Sequence, residues 1–239
     1  MEIANLPDLL IWFVAFLLSF TTHEAAHAWV AKSGGDLTAY NGGQVTLNPI
    51  PHIKRSPIGM IVVPLISYVM AGWMIGWASA PYDPDWAMRY PKRAAWMAAA
   101  GPAANFVIMA VTFLLLKIGL FSGTFEMPGQ EELFLNGRLQ LANVAVSAHV
   151  GWSGVAKLLS VLYMLNMILL IFNLLPFPPL DGSTVINLFL SDDAGRRLST
   201  FLRQPMYTFL GIIIAWRILN TIFQDIFLFF YSLLHPNFF

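Results

Sequence analysis

Long apolar runs alternate with short polar segments along the chain. Each run is long enough to match the roughly 20 residues that a helix needs to cross the hydrocarbon core of a bilayer, about 30 Å thick. The runs cover residues 9–31, 58–80, 94–121, 155–180 and 205–234. The polar segments between them are too short for a large soluble domain, so the pattern predicts an all-α polytopic membrane protein.

Composition supports this class. The chain is 57% hydrophobic and 11% charged, whereas soluble proteins average roughly a quarter charged residues. The absence of cysteine excludes disulfides and thiolate metal ligands, and no basic patch indicates a nucleic-acid partner. We expect one transmembrane domain over residues 1–239, with a core at 9–185 and a C-terminal helix at 205–234. Its oligomeric state stays open.

Ionisable side chains interrupt the first apolar run at FTTHEAAHAW, residues 20–29. His23 and His27 are four residues apart, so a helix places both imidazoles on one face, where they can bind the same metal ion. Glu24 then lies near a metal-bound water without being a ligand. This is the H-E-x-x-H arrangement of zinc hydrolases, in which the metal acidifies the water and the carboxylate takes its proton. A histidine pair that only packs between helices is the alternative.

A catalytic zinc site needs a third protein ligand and an open position. The candidate is Asp181 in FNLLPFPPLDG, residues 172–182, where three prolines end a long apolar run. Prolines remove backbone N–H donors, and irregular backbone is tolerated at membrane depth only where it is buried in protein or lines a polar cavity. We therefore expect this segment to face a site, although an Asp-Gly pair after prolines is also typical of an ordinary turn.

Taken together, these segments resemble the site-2 protease family of intramembrane zinc metalloproteases, in particular its small bacterial and archaeal members without PDZ or CBS domains. The resemblance rests on HEAAH at 23–27, GGQVTLNPIPHI at 42–53, AAGPAANF at 99–106 and NLLPFPPLDG at 173–182. It implies one Zn²⁺ ion held by His23, His27 and Asp181, with Glu24 as the catalytic base.

Four further polar residues are candidates for contacts with substrate or with the oxyanion. The resemblance implies polar roles near the site for Asn173, which lies two helical turns before Asp181, and for Asn105, which is a candidate oxyanion donor or an orienting contact for a ligand. Asn48 and His52 follow the first apolar run and are candidate substrate contacts. A turn or interfacial role is the alternative for both.

The segment GGQVTL, residues 42–47, has the alternating pattern of an edge strand. A protease that cuts inside a bilayer must satisfy the backbone groups of its unwound substrate, and an exposed strand edge does so by β-augmentation. We therefore predict a short β-like membrane loop around the buried metal site. An ordinary loop that covers the site is the alternative.

Charge distribution predicts how the chain crosses the membrane. If all five runs crossed, His27 and Asp181 would lie towards opposite faces and could not share an ion. If 58–80 instead enters the membrane and returns, nine basic residues lie on one face, which the positive-inside rule makes cytoplasmic. They are Lys32, Lys54, Arg55, Arg89, Lys92, Arg93, Arg196, Arg197 and Arg203. The sequence thus predicts about four transmembrane helices plus a re-entrant pair in the cell membrane, with the active site nearer the cytoplasmic face.

The favoured function is an intramembrane zinc endopeptidase that hydrolyses transmembrane segments of membrane protein substrates in the lipid bilayer, as in regulated intramembrane proteolysis. A membrane metal-ion transporter is the main alternative, because buried His and Asp also mark ion pathways. Such a transporter needs no general base. A catalytically inactive membrane binding protein is the third possibility, and the presence of Glu24 beside every expected ligand argues against it.

Overall fold

The computed structural model describes residues 6–129, 134–135, 138–139 and 143–236, and most of these residues are helical. The helices are α1 Leu6–Ser33, α2 Thr38–Asn41, α3 Pro49–Arg55, α4 Val63–Ala71 preceded by a π-helical turn Ile58–Val62, α5 Pro84–Arg89, α6 Pro91–Phe121, α7 Val150–Leu174, α8 Asp181–Val185 followed by a 3₁₀ turn Ile186–Phe189, α9 Asp192–Leu202 and α10 Pro205–Leu234. Two strands, β1 Phe134–Leu135 and β2 Arg138–Leu139, pair antiparallel.

Four helices in the described residues, α1, α6, α7 and α10, are long and apolar enough to cross a membrane. They coincide with four of the five apolar runs, so the predicted all-α polytopic class is confirmed. The remaining run, 58–80, begins with the helical piece Ile58–Ala71, which meets the preceding helix Pro49–Arg55 at an angle of 114°.

Local sequence signals set where the short helices begin and the long one ends. Asn48 and Asp83 cap α3 and α5 by accepting hydrogen bonds from the backbone N–H groups two residues ahead, and a proline follows each cap. The long helix α7 ends at Leu174, and the next residue, Leu175, is extended because it precedes Pro176. The prolines beyond it prevent the helix from resuming before Asp181.

Helices α6 and α7 form the centre of the bundle, and two apolar clusters flank them. On one side the aromatic side chains of α1, among them Phe16, pack against Leu162 and Leu165 of α7. On the other side Met109 of α6 and Met164 of α7 pack against the last turns of α10. Helix α10 is the least buried of the four spanning helices. The other three spanning helices, α1, α6 and α7, therefore form the core of the bundle.

The segment that follows α3 enters the fold and returns. Gly72 ends α4 in a left-handed conformation, with φ +76°, which only glycine adopts without strain. The chain then runs back beside α4, as shown by hydrogen bonds from Trp77 N to Gly59 O at 3.2 Å and from Arg55 Nε to Ser79 O at 3.1 Å. Both ends of the segment thus lie together, as the predicted re-entrant path requires.

The β-like loop predicted over 42–47 is not confirmed. Gly43 lies in a tight turn with φ +71°, the next residues form bends, and no described residue pairs with them as a strand. Alternation of polar and apolar side chains favours a strand only where a partner edge is available, and in this structure Gln44 instead buries its side chain beside Ser79 O, 3.5 Å from Nε2.

The C-terminal end of α1 is fastened to the helices that follow it. Gly34 O accepts hydrogen bonds from Trp86 Nε1 and Arg93 Nη1, each at 3.1 Å. The Asp36 carboxylate accepts from Thr38 N and from Asp83 N. Burial raises the pKa of Asp36, but the hydrogen bonds from Thr38 and Asp83 outweigh it and hold the pKa below its usual range. This junction fixes the depth of α1 relative to α6.

Candidate metal centre

Helix α1 brings the two histidines together as the spacing predicts. His23 and His27 are both buried, with 6% and 8% of their surface exposed. Their rings meet edge to face, and the two Nε2 atoms are 2.9 Å apart. One face of a single helix thus supplies two nitrogen atoms to one point in the bundle.

The third candidate ligand reaches the same point from the other end of the fold. Asp181 is the first residue of α8, and its Oδ2 lies 3.2 Å from His23 Nε2 and 3.4 Å from His27 Nε2. The proline segment before it is held in place by α10, where Gly211 packs directly on the backbone of Pro178. Among the described residues, this trio forms a group of ligand atoms that all lie within 4.8 Å of one another.

The outer nitrogen of each imidazole has a defined partner. His27 Nδ1 lies 2.7 Å from the backbone carbonyl of Met97, and His23 Nδ1 lies 2.6 Å from Asn105 Oδ1. Both partners are acceptors, so each Nδ1 carries the proton and donates it. In a neutral imidazole this leaves an unprotonated Nε2 with its lone pair directed at the shared point, as metal ligation requires.

The donor set fits a zinc ion. Two lone-pair nitrogens and a carboxylate oxygen at 2.9–3.4 Å repel one another unless a cation lies between them. Ligand atoms about 2.0–2.1 Å from a tetrahedral ion are themselves about 3.3–3.4 Å apart; the two nitrogen–oxygen separations, 3.2 and 3.4 Å, agree with this, and the nitrogen–nitrogen separation of 2.9 Å is shorter. Asp181 Oδ2 is buried without a hydrogen-bond partner in the described part of the chain. Two imidazoles and one carboxylate are a zinc ligand set that leaves the fourth position open.

A glycine on α6 leaves the space that this site needs. A Cβ atom at Gly101 would overlap Nε2 of both His23 and His27. From the sequence alone, Gly101 in AAGPAANF is expected to serve close helix packing, as small residues in membrane helices usually do. The signal that was available is its position four residues before Asn105, one turn away on the same face of α6.

Glu24 is buried, with 5% of its surface exposed, and its side chain has no hydrogen-bond partner among the described residues. Beside the centre, a cavity of about 340 Å³ extends from Asp181 and Met97 to Tyr82 and Arg203. Its lining combines the candidate ligand Asp181 with Tyr82 and Ala87, which are neighbours in sequence of the junction residues Asp83 and Trp86. Asn187, also unforeseen from sequence, lines this cavity with a buried Oδ1 atom that lacks a partner in the described structure.

The four candidate substrate or oxyanion residues separate into two groups. Asn105 is completely buried and contacts His23, while the partly buried Asn173 lies in the last turn of α7, close in sequence to the proline segment. Asn48 is exposed and caps α3 through Ile50 N. His52 is buried with Nε2 at 3.0 Å from Thr46 O, and no described hydrogen bond links it or Asn48 to the histidine pair.

Sequence comparison finds relatives for most of the chain. The profile of Peptidase family M50 matches residues 11–216. "Putative zinc metalloprotease YwhC" of Bacillus subtilis is 33% identical over 174 residues, which are 72% of this chain and 66% of that protein. "Putative zinc metalloprotease Rip2" of Mycolicibacterium smegmatis is 27% identical over 185 residues, 77% of this chain and 59% of that protein. The chain thus spans less than two thirds of each relative. No solved structure gives a significant match.

Proposed function

The chain belongs to peptidase family M50, the site-2 protease family, and from this premise we propose that it is a zinc endopeptidase that hydrolyses a peptide bond within transmembrane segments of membrane proteins. The observation that carries the proposal is the convergence of His23, His27 and Asp181, with Glu24 buried and adjacent to His23 in the sequence of α1. A metal site that only stabilised the fold would have no use for an unpaired carboxylate at this depth.

The residues of the site divide the chemistry between them. His23, His27 and Asp181 hold the ion, and zinc, when bound there, polarises the scissile carbonyl and increases the acidity of water. Glu24 takes a proton from the attacking water and passes it to the leaving nitrogen. Met97 O and Asn105 Oδ1 keep the two imidazoles oriented throughout.

The site's depth within the bundle supports the substrate class. Only a peptide that itself enters the membrane reaches an ion held by the spanning helix α1, and it must unwind locally because a helix hides its carbonyls in its own hydrogen bonds. The cavity beside Asp181 offers room for water and for an unwound strand. In this proposal Asn173, in the last turn of α7, donates a hydrogen bond to the substrate backbone or to the developing oxyanion.

Metal removal and restoration test the proposal. Purified protein in lipid vesicles should cleave single-span model substrates, lose cleavage when a chelator strips the metal, and regain it at about one equivalent of Zn²⁺, because one site with three protein ligands binds one ion. Cleavage is followed by the mass of the fragments, which also locates the cut within the membrane segment.

The same vesicles distinguish a protease from a metal transporter. A zinc-sensitive dye trapped inside should stay dark while substrate is cleaved. Zinc-loaded protein that cleaves no member of the panel and fills the vesicles with zinc would identify a transporter and overturn the protease assignment.

Contacts between the loops support a cytoplasmic location for the site's open end. Arg93 contacts the end of α1, Arg203 Nη2 lies 3.3 Å from Pro84 O, and Arg55 contacts Ser79. Two of these contacts join segments that carry predicted cytoplasmic basic residues, the end of α1 with the start of α6 and the end of α9 with the start of α5, an arrangement that the positive-inside rule favours. The active site accordingly opens towards the cytoplasm.

Single-cysteine labelling tests this topology in a chain that has no cysteine of its own. Ser56→Cys and Ser79→Cys should both react with a membrane-impermeant thiol reagent from the cytoplasmic side, since the two ends of the re-entrant segment lie together. Ser122→Cys, at the far end of α6, should react only from the opposite side. Reaction of positions 56 and 79 from opposite sides would show that the segment crosses the membrane.

A further inference from the structure

The two imidazoles of the metal centre are oriented by partners of different kinds. His27 donates to Met97 O, a backbone carbonyl that can only accept. His23 donates to the side-chain amide of Asn105. An amide that rotates by 180° presents NH₂ in place of oxygen and would then demand the lone pair of Nδ1, moving the imidazole proton to Nε2. That tautomer of His23 cannot bind a metal ion through Nε2, so the orientation of the Asn105 amide decides whether Nε2 can act as a ligand at the shared point.

A second buried amide fixes the first. Asn105 Nδ2 donates to Asn166 Oδ1 at 2.7 Å. Asn166 Nδ2 in turn donates to Leu162 O and to Ser19 Oγ, each at 2.8 Å. Leu162 O is a backbone carbonyl and can only accept. The Ser19 hydroxyl donates its one hydrogen bond to Ala15 O at 2.7 Å, so it too can only accept from Asn166. Asn166 must therefore direct its NH₂ towards these two acceptors and its oxygen towards Asn105.

Burial prevents these amides from adopting the opposite orientation. Ser19, Asn105 and Asn166 all have 0% of their surface exposed, so bulk water cannot supply a replacement hydrogen bond to an amide that turned the wrong way. A reversed Asn105 would set its NH₂ against a donor or leave buried polar atoms without partners, which is costly at this depth. Each group in the series therefore donates to the next, from His23 to Asn105, from Asn105 to Asn166, and from Asn166 to Leu162 O on α7.

We propose that Asn166 is a positioning residue for the metal centre, which fixes the zinc-binding tautomer of His23 through Asn105 without contacting the ion. Both histidines are then oriented by backbone carbonyls, His27 directly by Met97 O and His23 by Leu162 O through two amides. The inference rests on the proposed zinc site but not on cleavage, because its direct consequence is metal affinity.

The test compares one substitution in two backgrounds. Asn166→Leu removes the group that orients Asn105, and we expect zinc affinity, measured by competition with a chelating dye, to fall by about 10–100-fold, the range for lost partners of metal ligands. In the Asn105→Asp background the same substitution should cost less than about 2-fold. A carboxylate at position 105 has two acceptor oxygens, so it accepts from His23 Nδ1 whichever way it turns.

A packing role for Asn166 predicts a different result, namely an equal loss of zinc affinity in both backgrounds, and that result overturns the proposal. Unchanged affinity in Asn166→Leu alone also overturns it. Thr112→Val is the control, because Thr112 is buried on α6 but bonds only to its own helix, and it should retain wild-type affinity. If Asn166→Leu does not fold, Asn166→Ala serves the same comparison. If the zinc affinities follow this pattern but the wild-type protein cleaves no substrate, the proposed function is overturned and the positioning role of Asn166 is not.

Discussion

Glu24→Gln should abolish peptide-bond cleavage while the protein still binds zinc. The substitution keeps the size and most of the polarity of the side chain but removes its capacity to take a proton from water. Loss of a general base typically reduces the rate by about 10²–10⁴-fold. The ligands His23, His27 and Asp181 are untouched, so the measurement pairs the initial cleavage rate of a single-span substrate with the zinc content of the same preparation.

Glu126→Gln provides the matched control for this result. Glu126 is exposed and forms an isolated bridge with Val146 through its backbone, far in sequence from the metal centre, so the same change of side chain there should leave the rate unchanged. Wild-type cleavage by zinc-loaded Glu24→Gln would show that another group is the base. Loss of zinc in this variant would mean that Glu24 supports the ion rather than the reaction.

Gly101→Ala should destroy the metal centre although it adds a single methyl group. The new Cβ would overlap Nε2 of His23 and His27, and α6 cannot retreat because it is packed against both α1 and α7. A displacement of catalytic groups by about 1 Å already costs about 10²-fold in rate. We therefore expect the cleavage rate to fall at least that far, together with the zinc affinity.

Gly154→Ala separates this effect from the general consequences of replacing a helical glycine. A Cβ at Gly154, within α7, meets no heavy atom inside 4 Å, so this variant should cleave and bind zinc like the wild type. Thermal unfolding of both variants checks that the bundle remains folded. Normal zinc affinity in Gly101→Ala would show that the histidines do not converge where the structure has them.

The chemistry of the site is legible in the sequence because it depends on local spacing. The four-residue spacing of His23 and His27 places them on one face of any helix, and the apolar residues on either side of the motif make that helix α1. The prolines that precede Asp181 likewise predict irregular backbone, because proline breaks a helix in any tertiary context. The predicted re-entry of residues 58–80 rests instead on a long-range constraint, since His27 and Asp181 must reach one ion from one side.

The loop over 42–47 shows where local pattern fails. Alternation of polar and apolar side chains indicates which residues would share a face if the segment were a strand. Pairing also needs a partner edge, and residues 42–47 contain no information on whether one is present. The structure instead turns the chain at Gly43 and buries Gln44. Asn48 became a helix cap for a reason that the sequence does contain, the proline that follows it.

By itself, then, the sequence determined the membrane class, the family resemblance and the candidate ligands, because hydrophobic length and helical periodicity act over one or two turns. Only the tertiary structure decided that Gly101 leaves space beside His23 and His27. It also decided that hydrogen bonds through Asn105 and Asn166 connect one imidazole to a backbone carbonyl. These residues lie on three different helices. Their roles arise from interatomic distances across the packed bundle, and no periodicity along a single helix encodes such distances.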